Sequence, residues 1–120
     1  MRALAAVLVA ALCCAALPAA AQGWEPKRNA ELQLLDKVTA RVAVLKAQVG
    51  QPAQYFTLSI LVKACNARPV GEVPDAAAWM EITDSRRPGQ PAFRGWMFAN
   101  APGASMLEHP VYDIRVLDCR

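Results

Sequence analysis

Histidine is almost missing from this 120-residue sequence, where His109 is the only one. Any general base or metal site built on imidazole must therefore use that single position. Metal-ligand spacing is missing as well, since neither Cys65 nor Cys119 has a second cysteine or a histidine at a ligand's distance along the chain. Beyond Leu17 there is no further long apolar run, so the rest of the chain offers no membrane span. The 13 basic and 10 acidic residues nearly balance, and Lys27-Arg28 and Arg86-Arg87, the adjacent basic pairs, are not interleaved with aromatics. That pattern argues against nucleic acid as a partner. No internal repeat and no low-complexity tract stands out.

What the chain does have begins at its N-terminus. Arg2 precedes an apolar stretch from Ala3 to Leu17, Pro18 breaks it, and Ala19, Ala20 and Ala21 follow. This is the layout of a secretory signal, with cleavage expected between Ala21 and Gln22 and the product expected in the periplasm. Pro18 ends the run too early for an uncleaved span. Cys13 and Cys14 raise a lipoprotein reading, but Leu12 stands where the lipidation signal wants a small residue, so both cysteines are expected to leave with the leader. Removing residues 1–21 leaves 99 residues carrying 12 basic and 10 acidic side chains, enough for one ordinary domain and too few for two cores.

Residues 22–30 are polar, contain Gly23 and Pro26, and read as a flexible entry segment ahead of a single domain over 31–120. Residues 31–49 carry two conflicting signals. Leu35, Val38, Val42, Leu45 and Val49 recur at helical steps, whereas Ala43, Leu45, Ala47 and Val49 alternate and run into the Gly50-Gln51-Pro52 turn. Residues 55–65 are the clearest strand, with Phe56, Leu58, Ile60, Val62 and Ala64 on one face and Cys65 on the other. Pro69, Gly71 and Pro74 make 66–75 a loop, and further strands are expected at 78–83, 93–99 and 111–119. Between the last two, Ser105 could cap one short helical turn before Pro110. The fold class is all-β: a small antiparallel sandwich or open barrel of six to eight strands.

Cys65 and Cys119 remain after the leader, and an even number in an oxidising compartment favours a disulfide. Closing a loop of about 55 residues would remove roughly 4 kcal/mol of unfolded-state freedom in the chain-entropy model. The alternation places both thiols on the less apolar side of their strands, and if those strands are neighbours the two Cβ atoms can approach to bridging distance.

Leu35-Asp36-Lys37-Val38-Thr39 with Arg41, Ala64-Cys65, Gly95-Trp96-Met97-Phe98, and Glu108-His109-Pro110-Val111-Tyr112-Asp113 with the closing Cys119 occur in this order. Together they resemble the bacterial family called domain of unknown function 2155 over nearly the whole chain after the leader. The resemblance implies an exported protein of Gram-negative bacteria with this cysteine pair and no established activity. It also favours two strands, about 32–37 and 41–49, over a helix. Ala40 departs from the family's usual Gly in a Thr-Gly-Arg turn, which implies another turn geometry or a looser one. Thr57 stands where a Gly often follows the Phe.

Candidate sites are few. His109, flanked by Glu108 and Asp113, could act as a base oriented by a carboxylate, but no nucleophile accompanies it, Ser105 lying in an ordinary turn. The plainer reading has the imidazole shaping a turn by bonding a backbone carbonyl. Trp24, Trp79 and Trp96 could form an aromatic platform for a glycan or peptide; Trp96, in an apolar string, is expected in the core. Trp79 shares a face with Glu81 and Thr83 and is the better contact residue, with Arg94, Arg115 and Asp113 as possible neighbours. No metal and no cofactor is expected. The sequence supports a non-enzymatic periplasmic module that binds an envelope protein or polymer through one sheet face. Two alternatives are a small hydrolase or metal-dependent enzyme centred on His109 and an accessory subunit of an inner-membrane complex.

Overall fold

Alternation wins over helical period throughout the computed structural model, which describes residues 23–120. The leader reading over residues 1–21, with Cys13 and Cys14, lies outside the described residues. Eight strands follow one another: β1 (Glu25–Pro26), β2 (Asn29–Asp36), β3 (Arg41–Gln48), β4 (Ala53–Tyr55), β5 (Leu58–Ala67), β6 (Ala76–Asp84), β7 (Pro91–Phe98) and β8 (Tyr112–Cys119). All pair antiparallel. One sheet runs β1-β5-β6-β7 with β4 also on β5, and the other runs β3-β2-β8. Of the two architectures expected, the chain adopts the sandwich.

The core lies between the sheets. Leu32, Leu34, Ile114 and Val116 face Leu58, Ile60, Val62, Met80 and Ile82, all buried. Each such aliphatic side chain contributes about 1.5–3 kcal/mol on leaving water. This explains the outcome for residues 31–49. As a helix they would gather Val38 and Val42 into the core stripe, yet both are exposed, while β2 and β3 bury Leu32, Leu34 and Ala47. The turn between them is fixed locally, because the Asp36 carboxylate accepts the amides of Val38 and Thr39 at 2.9 and 3.1 Å.

Several local expectations change. The entry segment is structured: β1 pairs with the end of β5, and β2 already begins at Asn29. The strand expected at 55–65 is interrupted by a tight hairpin, since Tyr55 pairs with Leu58 across Phe56 and Thr57. Apolar content alone could not reveal that turn, because its first residue is Phe56. Strand β5 then continues to Ala67, past the expected start of the loop. No helix occurs among the described residues, and the one expected at Ser105 is replaced by a hydrogen-bonded turn from Ala101 to Ala104. The chain then runs on so that Leu107 and His109 become buried.

Two bulges invert the faces of both cysteines. In β5 the pairing with β6 slips between Val62 and Ala64, leaving Lys63 as an extra residue. In β8 the pairing with β2 passes from Val116 to Asp118, with Leu117 extra. Side chains beyond each bulge therefore change side, and Cys65 and Cys119 both enter the core, at 1% and 3% exposure. The expectation of neighbouring strands and less apolar faces is corrected accordingly. The cysteines belong to opposite sheets, and their bond crosses the sandwich with Cα atoms 5.5 Å apart.

Candidate functional site

Side chains pointing away from the core from β5, β6 and β7 form the outer face of the larger sheet. Ala64, Trp79 and Trp96 stand side by side across it in register, and Asn66, Ala77 and Phe98 form the next row. Trp24, just before β1, closes the end of that row, its ring centroid 6.4 Å from that of Phe98. All three tryptophans thus meet on one face. Trp96, expected in the core, is 38% exposed, and Met97 takes the inward position instead. Regular alternation along β7 sets this, since Arg94, Trp96 and Phe98 share the face of Glu81, Trp79 and Ala77, while Phe93, Gly95 and Met97 turn to the core.

Charges are arranged around these rings. The Arg68 guanidinium lies 4.1 Å from the centre of the Trp24 ring. Lys63 and Arg94 lie 5.5 and 5.7 Å from that of Trp79, within cation–π reach. Glu81 bridges the latter two, at 3.1 Å from Lys63 and 3.3 Å from Arg94. Between Trp24, Trp96 and Phe98, with Asn66 at the side, is a groove of about 270 Å³ floored by Ala77. Ala77 faces outward but is only 3% exposed, because the aromatic walls cover it.

His109 belongs to a different constellation. Its Nε2 is 2.7 Å from Asp84 Oδ2, and both side chains are buried. Its Nδ1 accepts the backbone amides of Val111 and Tyr112 at 3.0 and 3.2 Å. Nδ1 therefore carries no proton, and Nε2–H donates to the carboxylate. The expected partners are corrected: the carboxylate comes from Asp84, not from Glu108, which is exposed, or Asp113. The backbone contact also runs the other way, the ring accepting amides instead of donating to a carbonyl. A base needs a free lone pair, and this imidazole has none. Asp84 also accepts the Arg86 amide at 2.9 Å. The His109 hydrogen bond, then that amide, lower its carboxyl to about 2 despite burial. Among the described residues, no three His, Cys, Asp or Glu side chains come together as a metal site.

The remaining candidates separate. Arg94 joins Trp79, but Arg115 and Asp113 lie on the outer face of the smaller sheet with Gln33 and Leu35. Ser105 lies in the connection after the Ala101–Ala104 turn. Sequence reasoning missed Phe98, although Trp96 and Phe98 are two residues apart on one strand and must share a face. It also missed Arg68 and Asp84; the Asp84-Ser85-Arg86 turn signal marks the latter.

Comparison with known proteins adds relationship without activity. An uncharacterized protein of Rickettsia prowazekii (strain Madrid E), RP359, is 28% identical over 95 residues, covering 76% of this chain and 60% of that protein. The chain thus spans about three fifths of that relative's length. No solved structure matches. The family model described as uncharacterized protein conserved in bacteria (DUF2155) covers residues 30–119, from the second residue of β2 to the bridged cysteine that ends β8, and the chain belongs to that family.

Proposed function

We propose that this protein is an exported, non-enzymatic module of the cell envelope that binds an envelope partner through the outer face of its five-stranded sheet. The observation that carries the reading is the gathering of all three tryptophans on that face. A small domain gains much by burying an indole, so three placed outside its core indicate a contact surface. The layout of Arg2, the apolar stretch to Leu17 and Ala19 to Ala21 supports export. Engagement of both His109 ring nitrogens weighs against the hydrolase reading.

The test is position-specific photocrosslinking in the living bacterium. A photoreactive aromatic residue replaces Trp96 in one full-length variant and Arg115, on the opposite sheet, in another. Adducts recovered from the periplasmic fraction are expected from position 96 and not from position 115. Adducts from neither position, or equally from both, would overturn the assignment of the face.

A further inference from the structure

We infer that the groove over Ala77 takes a ring of an acidic sugar chain, an inference that rests on reading this face as the binding surface. Charge at the rim decides the first property of the occupant. Arg68, Lys63 and Arg94 surround the aromatic rows against one carboxylate, Glu81, leaving an excess of positive charge. The occupant is anionic. Arg68 presents a planar fork that pairs with a carboxylate through two parallel hydrogen bonds.

The walls decide the second property. Trp24, Trp96 and Phe98 surround a floor made by a methyl group, and the Asn66 amide lines the groove at its side. A pyranose ring suits both features. Its C–H face carries slight positive charge and packs on the negative faces of aromatic rings. Its edge hydroxyls can donate to and accept from one amide. The volume of about 270 Å³ suits a single ring better than a folded segment. Trp79, beside Trp96 in the adjoining row and with Arg94 one row further, offers a second ring position next to the groove, so the occupant is a chain. A bilayer fits less well, because interfacial aromatics insert from a protruding surface and this floor is recessed beneath its walls.

The probes are a matched pair. One is the tetrasaccharide of alternating N-acetylglucosamine and N-acetylmuramic acid, which carries carboxylates; the other is chitotetraose, its uncharged counterpart. Each is titrated into the full-length protein, following tryptophan fluorescence and heat. The acidic chain is expected to bind, more tightly at low salt, and chitotetraose about tenfold or more weakly. Trp96→Ala and Ala77→Leu should each weaken the acidic chain by about tenfold, the second by filling the groove while keeping every ring. Arg115→Gln should leave it unchanged, and circular dichroism confirms that each variant is folded. The inference is overturned if the acidic chain does not bind, if both chains bind equally, or if binding ignores Trp96 and Ala77. Anionic phosphatidylglycerol vesicles retained in a Trp96-dependent way, without sugar binding, would also overturn it in favour of a membrane. Crosslinks from position 96 without sugar binding would leave the face assignment standing and remove only the ligand class.

Discussion

At His109 the direction of each hydrogen bond fixes what the residue can do. Two amides hold Nδ1 as an acceptor, so Nε2–H has one use, and Asp84 takes it. The consequence falls on Asp84, whose carboxyl is lowered from 3.8 to about 2. A carboxylate whose folded pKa is depressed adds stability that is complete above its unfolded pKa and lost as pH falls through the folded value. The window here runs from about pH 4 down to about pH 2. Asp36, lowered by the Thr39 and Val38 amides, acts with the same sign. Urea unfolding of the wild type should therefore weaken steeply across this window. Asp84→Asn keeps a hydrogen-bonding side chain but cannot titrate, so its stability at pH 6 should be lower and its decline between pH 4 and pH 2 shallower. An unchanged slope in this variant would show that the Asp84–His109 pair does not govern acid stability.

The β2–β3 hairpin shows how an element can keep its geometry with an unsuitable residue. Ala40 stands where glycine is expected, and the turn neither loosens nor changes hand: Ala40 itself takes φ of 58°. Left-handed backbone costs an L residue about 1–2 kcal/mol, whereas glycine's extra unfolded-state freedom costs about 0.5–1 kcal/mol. Ala40→Gly should therefore stabilise the protein by about 0.5–1 kcal/mol, read as a raised urea midpoint with an unchanged m-value. A lowered midpoint would mean that Ala40 makes a compensating contact. The same contrast between pattern and geometry sets what was legible in the sequence. Strands β6 and β8 followed from alternation and β2 and β3 from the family resemblance, and Trp79 could be placed outward because Glu81 and Thr83 mark the polar side. Trp96 was misplaced because Gly95-Trp96-Met97-Phe98 is apolar on both faces, and only Arg94, two residues earlier on the same face, marks it as outward. Both cysteines were misplaced because Lys63 and Leu117 are bulge residues, and a bulge inverts every face beyond it without altering composition. The Asp84–His109 pair was hidden because its members lie 25 residues apart in elements that only the folded sandwich brings together.

Across the whole molecule, the two sheets are tied at opposite ends by two different chemistries. Cys65–Cys119 joins the late part of β5 to the end of β8. Asp84, paired with Leu58 at the start of β5, joins the end of β6 through His109 to the beginning of β8. Seven residues of strand separate the ties along β5, roughly 20 Å at about 3.3 Å per residue. They share no partner, so their energetic contributions should be independent even though they brace the same core. The disulfide closes a loop with sequence separation 54, and losing such a native bridge typically costs about 2–5 kcal/mol. Cys65→Ser and Cys119→Ser should therefore each lower the unfolding free energy by about that amount. The double serine variant should lose scarcely more than either single one, because one constraint can be removed only once. Cys119→Ser combined with Asp84→Ala should behave in the opposite way, its loss equalling the sum of the two single losses within about 0.5 kcal/mol. Urea unfolding at pH 6 with coincident fluorescence and circular dichroism transitions measures all of these on one scale. Additive losses from the two serines would mean that the thiols act separately and no bond joins the sheets. Strong coupling between Cys119 and Asp84 would mean instead that the sandwich transmits strain from one end to the other, and the two ties would then have to be treated as one device.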